Sequence, residues 1–313
     1  MPGDRPLPPD ASAEPESLVV ALDTGDRIHY LDWGGPTEPG GDAALPALVL
    51  VHGLGATCWT WSPVARRLRR IARILAPDLR GHGWSEAPAG GYDLDSLGVD
   101  LLTVMVANGL GPDAGGPPAV IAGHGFGAMV AVAAAAREPD AVAGLALVDG
   151  GWEDVSAGGL TVEEFVDGVA DPPEVLRSMD AYLADRRAYD PASWDADQER
   201  AARAAVEEKH AGHVAPVIRR HALAASVASM LAYRPDELLP RVRCPVLVAV
   251  AGSAATDDES ARDREMALAD ALRFLADAGP VRVVRFEGAG HNLMRYRPDD
   301  LSVALAGLLV AAG

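Results

Sequence analysis

The chain has 313 residues, of which 49% are hydrophobic, enough for one large globular domain or for a domain with an insertion. Aspartate and glutamate number 45 against 27 lysines and arginines, which gives a formal net charge of −18. This balance argues against a nucleic-acid-binding protein, which needs a cationic face, and against docking on an anionic membrane. We therefore expect a soluble protein that acts on a small-molecule substrate; the composition leaves its oligomeric state open.

The N-terminal residues and the cysteines bear on location and on cofactors. Residues 1–17 are rich in Pro, Asp and Glu and lack the apolar stretch of a signal peptide, so we expect a disordered tail and a cytoplasmic protein. The two cysteines, Cys58 and Cys244, are too few for a disulfide framework. The sequence has no dinucleotide fingerprint, phosphate-binding loop or Cys/His cluster with metal-ligand spacing, so we expect neither a cofactor nor a metal.

Short apolar runs, typical of strands buried on both faces, alternate with segments of helical spacing. The predicted strands are Leu18–Ala21, Arg27–Asp32, Ala47–Val51, Arg73–Ala76, Ala119–Ala122, Leu145–Val148, Pro245–Val250 and Arg282–Phe286. The predicted helices are Val64–Arg70, Asp95–Gly109, Ala128–Arg137 and Met266–Ala278. Such alternation predicts an α/β fold with a doubly wound, mostly parallel sheet.

Two segments need separate interpretation. Residues 117–136 are apolar over the length of a membrane span, but they contain two prolines and three glycines and predict a strand followed by a helix. Residues 152–239 interrupt the alternation with helical pieces (Thr161–Val169, Glu174–Arg187 and Gln198–His210) and no convincing strand. Since ligands bind at the carboxyl edge of such sheets, we interpret them as an inserted helical lid on a core of residues 18–151 and 240–313.

The most informative motif follows the strand Ala119–Ala122, where Gly123-His124-Gly125-Phe126-Gly127 leads into a helix. A strand, a sharp turn flanked by glycines and a helix form the context of the G-x-S-x-G nucleophile elbow. Here the chain resembles the α/β-hydrolase fold superfamily, in particular its lid-bearing, esterase- and lipase-like members. The resemblance covers nearly the whole chain and implies a serine at the position that holds Gly125.

Two further segments carry the same resemblance. The sequence from Leu48 to Gly55 is similar to the strand and oxyanion loop of the family, which implies the backbone N–H groups of Leu54 and Phe126 as oxyanion donors. Residues 76–85 resemble the D-x-R-G-x-G-x-S stretch of the family and are expected to shape a loop beside the site. The candidate substrate-binding residues near these motifs and in the predicted lid are His52, Gly53, His124, Trp152 and His221.

The loop Glu287–Asn292 follows the last predicted strand and resembles the catalytic-histidine loop of the family, which implies His291 as the catalytic histidine. The acid that orients this histidine has two candidate positions. In the family the acid usually stands shortly after the strand that corresponds to Pro245–Val250, and here Asp257 and Asp258 come slightly later than that place. The other candidate, Asp149, stands at the end of the strand Leu145–Val148. We favour Asp149.

With Gly125 at the nucleophile position, acyl transfer through a serine is excluded, because histidine needs a hydroxyl or thiol to deprotonate. Four explanations stay open: a hydrolase inactivated by substitution, a hydrolase whose histidine activates water, a non-hydrolytic lyase, cyclase or decarboxylase that uses His291 as general acid and base, and a silent ligand-binding protein. The favoured hypothesis is an α/β-hydrolase-fold enzyme that acts on a small apolar ester or related carbonyl compound.

Overall fold

The structure is a computed structural model that describes residues 7–36, 46–169, 178–209, 212–252 and 258–313. Its ten strands are β1 Glu16–Ala21, β2 Arg27–Asp32, β3 Leu48–Val51, β4 Ile74–Pro77, β5 Ala119–His124, β6 Val142–Val148, β7 Val206–Lys209, β8 His213–Pro216, β9 Val246–Gly252 and β10 Val281–Glu287. Its α-helices are α1 Ser62–Leu68, α2 Leu94–Ala107, α3 Phe126–Arg137, α4 Val162–Val169, α5 Met179–Tyr189, α6 Ala196–Ala204, α7 Arg220–Leu231, α8 Pro235–Leu238, α9 Asp258–Phe274, α10 Leu293–Tyr296 and α11 Pro298–Ala312.

Eight strands form one sheet in the order β1-β2-β4-β3-β5-β6-β9-β10. The first two pairs, β1 with β2 and β2 with β4, are antiparallel, and all later pairs are parallel. The central strands β3 and β5 are buried on both faces, which explains their continuous apolar sequences. The mostly parallel α/β sheet that the sequence predicts is confirmed, and its carboxyl edge collects the residues that follow β3, β5, β6 and β10.

Helices cover both faces of the sheet. Side chains of α2, α3 and α9 belong to one core cluster, and side chains of α1 and α11 belong to the other. Gly98 in α2 lets that helix approach α3, because a Cβ there would lie 3.1 Å from the backbone nitrogen of Ala134. Small residues on α3 therefore serve close helix packing against α2.

The apolar helical region Leu94–Ala114 is long and apolar enough to cross a membrane by length and composition. It includes α2, which packs on α3, and 44% of its most apolar window is buried inside the protein. Residues 117–136, examined above as a possible span, form most of β5 and α3. Both apolar segments thus belong to the core of the domain.

The segment between β6 and β9, residues 152–239, is helical over α4 to α8 but also contains a two-stranded antiparallel sheet of β7 and β8. The prediction of a helix over Gln198–His210 is therefore wrong beyond Ala204, where α6 ends. Cross-strand backbone pairing of Val206–Lys209 with His213–Pro216 replaces the helical hydrogen bonds there. We call residues 152–239 the insertion; its action as a lid stays a prediction.

The prediction of a disordered tail over residues 1–17 is wrong for the described residues 7–17. Glu16 and Ser17 begin β1, and Ala13 is buried against the core. Arg66 donates to the carbonyl of Ala13 and pairs with Glu14 at 3.1 Å. The acidic residues of this segment are satisfied by arginines far along the chain, so high polarity alone does not keep it unfolded.

Candidate active site

The turn between β5 and α3 has the geometry of a nucleophile elbow. Gly125 sits between the strand and the helix with φ 53° and ψ −117°, a conformation that costs little for glycine. The flanking glycines are required by packing: a Cβ on Gly123 would lie 2.3 Å from the carbonyl oxygen of Gly127, and one on Gly127 would lie 2.3 Å from that of His52. The backbone therefore presents position 125 at the carboxyl edge of the sheet.

His291 lies directly above this turn, in the loop after β10. A Cβ on Gly125 would be 3.2 Å from Nε2 of His291, and no other atom outside the neighbouring residues would be within 4 Å except Cε1 of the same ring. The other ring nitrogen, Nδ1, donates a 2.6 Å hydrogen bond to Oδ2 of Asp149. His291 thus has the position of a base that faces the empty nucleophile position and is oriented by a carboxylate.

Asp149 follows β6 with φ 48°, a positive value that is uncommon outside glycine. Its buried Oδ1 accepts hydrogen bonds from the backbone N–H of Ala251 at 2.9 Å and from Nη2 of Arg264 at 2.8 Å. Burial alone would raise the pKa of this carboxyl, but the hydrogen bond from His291 and the charge of Arg264 hold it below its usual value. The carboxylate is consequently kept ionised at neutral pH.

The structure brings Asp149 to His291, as the favoured of the two sequence hypotheses expects. Of the alternative acids, Asp257 lies outside the described residues, and Asp258 is the first residue of α9, with its side chain likewise not described. Hydrogen-bond geometry within the described residues therefore favours Asp149 as the partner of His291.

The two backbone N–H groups expected to act as oxyanion donors belong to residues beside the same space. Leu54 follows β3, and Phe126 is the first residue of α3, where helix N–H groups have no intrahelical acceptor. Among the backbone hydrogen bonds of the described residues, neither the N–H of Leu54 nor that of Phe126 has a partner. Both residues line the cavity above Gly125.

That cavity has a volume of about 600 Å³ and is built from the core and the insertion together. The core contributes Gly53, Leu54, Gly125, Phe126 and His291, and the insertion contributes residues from Glu153 to Met230. Its size suits a small molecule. The apolar part of its wall includes Phe126, Met129, Val155, Phe165 and Met230.

The fold and this geometry agree with the comparison with known families. The model of the alpha/beta hydrolase family matches residues 48–304, most of the chain. The chain belongs to the alpha/beta hydrolase family. The sequence resembles this family at the elbow and at the histidine loop, whereas Gly125 departs from the serine that the resemblance implies.

This alpha/beta hydrolase is also similar to individual proteins. Lipase LipV of Mycobacterium tuberculosis is 37% identical over 137 residues, 44% of this chain and 48% of the lipase. Epoxide hydrolase 4 of Mus musculus is 29% identical over 142 residues, 45% of this chain and 36% of that protein. The matched regions thus span half or less of these curated relatives. The crystal structure of E-2-(acetamidomethylene)succinate hydrolase has the same fold, with a TM-score of 0.73 and 21% identity over 95% of this chain and 100% of that one.

Three residues predicted to bind substrate are not in the wall of the cavity above Gly125. His52 is fully buried; its Nδ1 donates to the carbonyl of Gly53 at 2.8 Å, and its Nε2 accepts from the N–H of Leu79 at 3.0 Å. Trp152 is buried in the wall of a neighbouring cavity, and His221 donates from Nε2 to the carbonyl of Pro88 at 3.1 Å. The structure thus does not bring these three side chains to the cavity above Gly125, because the position of a residue in the sequence does not fix the direction of its side chain. Their role in substrate binding stays a prediction.

His124 and Gly53 do line the cavity. His124 donates from Nε2 to the carbonyl of His291 at 3.1 Å, and this contact helps hold the loop of the catalytic candidate. Burial, together with the adjacent His291, lowers the pKa of His124 to about 3, so its ring is neutral at pH 7. Gly53 has no room for a side chain, since a Cβ would lie 2.8 Å from Nδ1 of His124.

Three arginines of the site were not predicted from the sequence. Arg264 on α9 joins Asp149 to Glu153, with a 2.7 Å contact to the latter. Arg186 on α5 and Arg295 on α10 line the cavity. Arg295 lies on the short helix α10, which directly follows the loop of His291, so its place in the chain could have drawn attention to it. The arginines of α5 and α9 belong to polar helices without a recognisable motif.

One group of potential metal ligands, His29, Cys58 and Asp78, comes within 4.8 Å in the described part of the chain. The Asp78 carboxylate already accepts hydrogen bonds from Nδ1 of His29 at 2.7 Å and from the backbone N–H groups of Cys58 and Trp84 at 2.7 and 3.0 Å. These contacts fix the loop after β4, in agreement with the structural role expected for Asp78.

Proposed function

We propose that this protein is a hydrolase of small esters or related carbonyl compounds in which His291, oriented by Asp149, activates a water molecule. The observation that carries the proposal is the open position at Gly125, where a Cβ would lie 3.2 Å from Nε2 of His291. A serine side chain and a water molecule need similar space, and a water there would be within hydrogen-bond reach of Nε2. The family and its hydrolase relatives support the reaction class.

In this mechanism the water oxygen attacks the substrate carbonyl while its proton passes to Nε2 of His291. The developing negative charge on the carbonyl oxygen is stabilised by the N–H groups of Leu54 and Phe126. The imidazolium, stabilised by Asp149, then gives its proton to the leaving alkoxide, so that the acid and the alcohol are released. No covalent acyl-enzyme forms, because the chain offers no hydroxyl at position 125.

The apolar wall of the cavity supports a substrate with an apolar portion beside the reacting carbonyl. Phe126 and Met129 lie on α3 next to the elbow, and Phe165 and Met230 close the cavity from the insertion. Burial of aliphatic carbon against these side chains contributes about 0.8 kcal/mol for each CH₂. The insertion would in that case act as the lid that the sequence predicts.

The test compares wild type, His291→Ala and Gly125→Ser on a panel of p-nitrophenyl and alkyl esters. We expect wild type to hydrolyse at least one ester without a burst, and His291→Ala to lower the rate by about 10²–10⁴-fold, the usual contribution of general base catalysis. Gly125→Ser should show a burst of p-nitrophenol, since the serine Oγ can approach Nε2 of His291. Gly25→Ser, which changes a glycine with φ 86° in the β1–β2 turn, is the matched control.

The outcomes separate the alternatives. A burst in Gly125→Ser together with wild-type rates no higher than those of His291→Ala would reject hydrolysis and favour non-hydrolytic acid–base chemistry at the same site. Absence of a burst and of turnover in every variant would favour a protein that binds a ligand without reaction. Dependence of wild-type hydrolysis on His291, with one ¹⁸O atom from solvent in the acid after a single turnover, is the result that we expect.

A further inference from the structure

The charged groups around the cavity are not evenly matched. The carboxylates of Asp149 and Glu153 share the guanidinium of Arg264, at 2.8 and 2.7 Å. By contrast, Arg186 and Arg295 also line the cavity and form no ion pair with any described carboxylate. In a chain with a net charge of −18, two arginines that line the cavity and form no ion pair within the described residues mark a place suited to an anion.

Arg295 is held in place by neutral groups. Its Nε donates to Oγ of Ser193 at 2.6 Å, and its Nη2 donates to the carbonyl of Asp190 at 3.2 Å. The half-buried Asp190 carboxylate accepts instead from Ser193 and from the N–H of Ala192, and these hydrogen bonds, together with the charge of Arg295, hold its pKa below the usual value. Since a guanidinium has five N–H donors, the half-buried Arg295 keeps donors for a ligand while two neutral contacts fix its orientation.

Arg186 approaches the cavity from the insertion. It lies on α5, and its guanidinium stacks 5.2 Å from the centre of the Tyr182 ring, which also lines the cavity. Arg186 and its neighbour on the same helix, Arg187, are both exposed, but only Arg186 is part of the cavity wall. Of these two adjacent arginines, only Arg186 is therefore placed to contact a ligand in the cavity.

We propose that the cavity binds a substrate with a carboxylate at the end remote from the reacting carbonyl, and that Arg295 and Arg186 hold this carboxylate. The assignment rests on the proposed function, because it places the reacting carbonyl at Gly125 and His291. A planar carboxylate matches the forked donors of a guanidinium, and the apolar wall accommodates the carbon chain between the two ends. The substrate class is then a half-ester or a related carbonyl compound of a short-chain dicarboxylic acid.

Binding tests this subsite independently of the reaction when every protein compared also carries His291→Ala, which slows turnover of the esters during the titration. In this comparison, wild type denotes the chain with that substitution alone. Isothermal titration calorimetry would compare the monomethyl esters of succinate, glutarate and adipate with the corresponding dimethyl esters, which have the same chain and no charge. We expect at least one monoester to bind wild type about tenfold or more tightly than its diester, since a charge-assisted hydrogen bond contributes that much. Raising the salt concentration should weaken only the monoester.

Variants then assign the effect to the two arginines. Arg295→Gln and Arg186→Gln should each weaken monoester binding by about tenfold to a hundredfold and leave diester binding unchanged. Arg187→Gln removes the same charge from α5, the helix of Arg186, at a position outside the cavity. It should change neither monoester binding nor diester binding. Arg295→Lys, which keeps the charge, should retain part of the monoester preference and checks that the loss in Arg295→Gln is not due to misfolding.

Several results would overturn the assignment. Equal binding of monoesters and diesters by wild type, or no monoester binding at any chain length, would reject the subsite, as would an equal loss in Arg187→Gln. Tighter, arginine-dependent binding of methyl phosphate would reject a carboxylate in favour of a phosphate. Hydrolysis of neutral esters with no monoester preference would reject this inference alone, whereas arginine-dependent monoester binding without any hydrolysis would reject only the proposed reaction.

Discussion

Replacement of Asp149 by asparagine removes one charge from the buried centre of the site with almost no change in volume. Asparagine also tolerates the positive φ of 48° at this position. Its side-chain carbonyl can take the place of Oδ1 and accept from Ala251 and Arg264. The amide nitrogen then stands in the place of Oδ2, only 2.6 Å from Nδ1 of His291, and cannot accept its proton.

The magnitude follows from the three hydrogen bonds of the carboxylate. Bonds to a charged group contribute about 1.5–3 kcal/mol and neutral ones about 1 kcal/mol, so the loss of charge weakens the contacts of Arg264 and His291 by about 1 kcal/mol each. The free energy of unfolding should fall by about 2 kcal/mol, or about 3 °C in Tm for a chain of this size. Activity should fall further, by about 10³–10⁴-fold, because His291 is held in the wrong tautomer.

The assay measures unfolding by calorimetry and initial rates on the ester that wild type hydrolyses best, and repeats the rates in the Gly125→Ser background. Asp257→Asn and Asp258→Asn are the matched controls and should stay within about twofold of wild type. Retention of more than a tenth of the activity in Asp149→Asn, with a thousandfold loss in either control, would refute our choice of the acid.

Three further predictions concern pH, a buried ion pair and the thiols. Because the folded protein lowers the pKa of Asp149, the contribution of this carboxylate to stability is complete above about pH 4 and is lost as the pH falls further. Between pH 5 and 3, the free energy of unfolding should therefore fall more in wild type than in Asp149→Asn. Parallel curves of unfolding free energy against pH would contradict this prediction. Arg80 binds Asp100 through two buried hydrogen bonds of 2.8 and 2.7 Å, so Arg80→Met should lower the free energy of unfolding in urea by about 3–5 kcal/mol. The double variant Arg80→Met with Asp100→Leu should recover much of this lost stability. A loss below about 1 kcal/mol in Arg80→Met would argue against a stabilising role of the pair. Burial raises the pKa of the Cys58 thiol and raises that of the Cys244 thiol to about 12. A thiol reagent at pH 8 should therefore react with no cysteine in the native protein and with both cysteines in urea. Rapid labelling of the native protein would contradict this by showing that a thiol is accessible.

The parts of the fold that the sequence predicts well are those fixed by local pattern. Continuous apolar runs identified β3 and β5 to within two residues at each end, since burial on both faces demands such runs. The Gly-rich turn and the histidine loop drew attention to Gly125 and His291 through their resemblance to the family motifs, and such motifs can be recognised because a tight turn restricts residue type. Asp149 was favoured because it ends a predicted core strand, but its contact with His291 depends on the order of strands, which places β6, β9 and β10 next to one another.

Other features depend on contacts between distant parts of the chain. The polar sequence of β7, Val206–Lys209, favours a helix locally, and only its pairing with β8 makes it a strand. His52 stands in the expected loop, but its ring is turned toward the backbone of Leu79 instead of the cavity. The role of Arg264 depends on where α9 packs relative to β6, which residue types alone do not reveal.

The ordered N-terminal segment has a consequence for the insertion. Glu14 binds Arg200 of α6 at 2.5 Å and also Arg66 of α1, and Arg66 in turn pairs with Asp197 of α6 at 3.1 Å. The short N-terminal segment that contains Glu14 therefore connects the core to α6, the helix behind the cavity. Movement of α6 away from the core must break these ion pairs. The rate at which the cavity admits its ligand would therefore rise with salt concentration, and it would also rise in a variant that begins at residue 15.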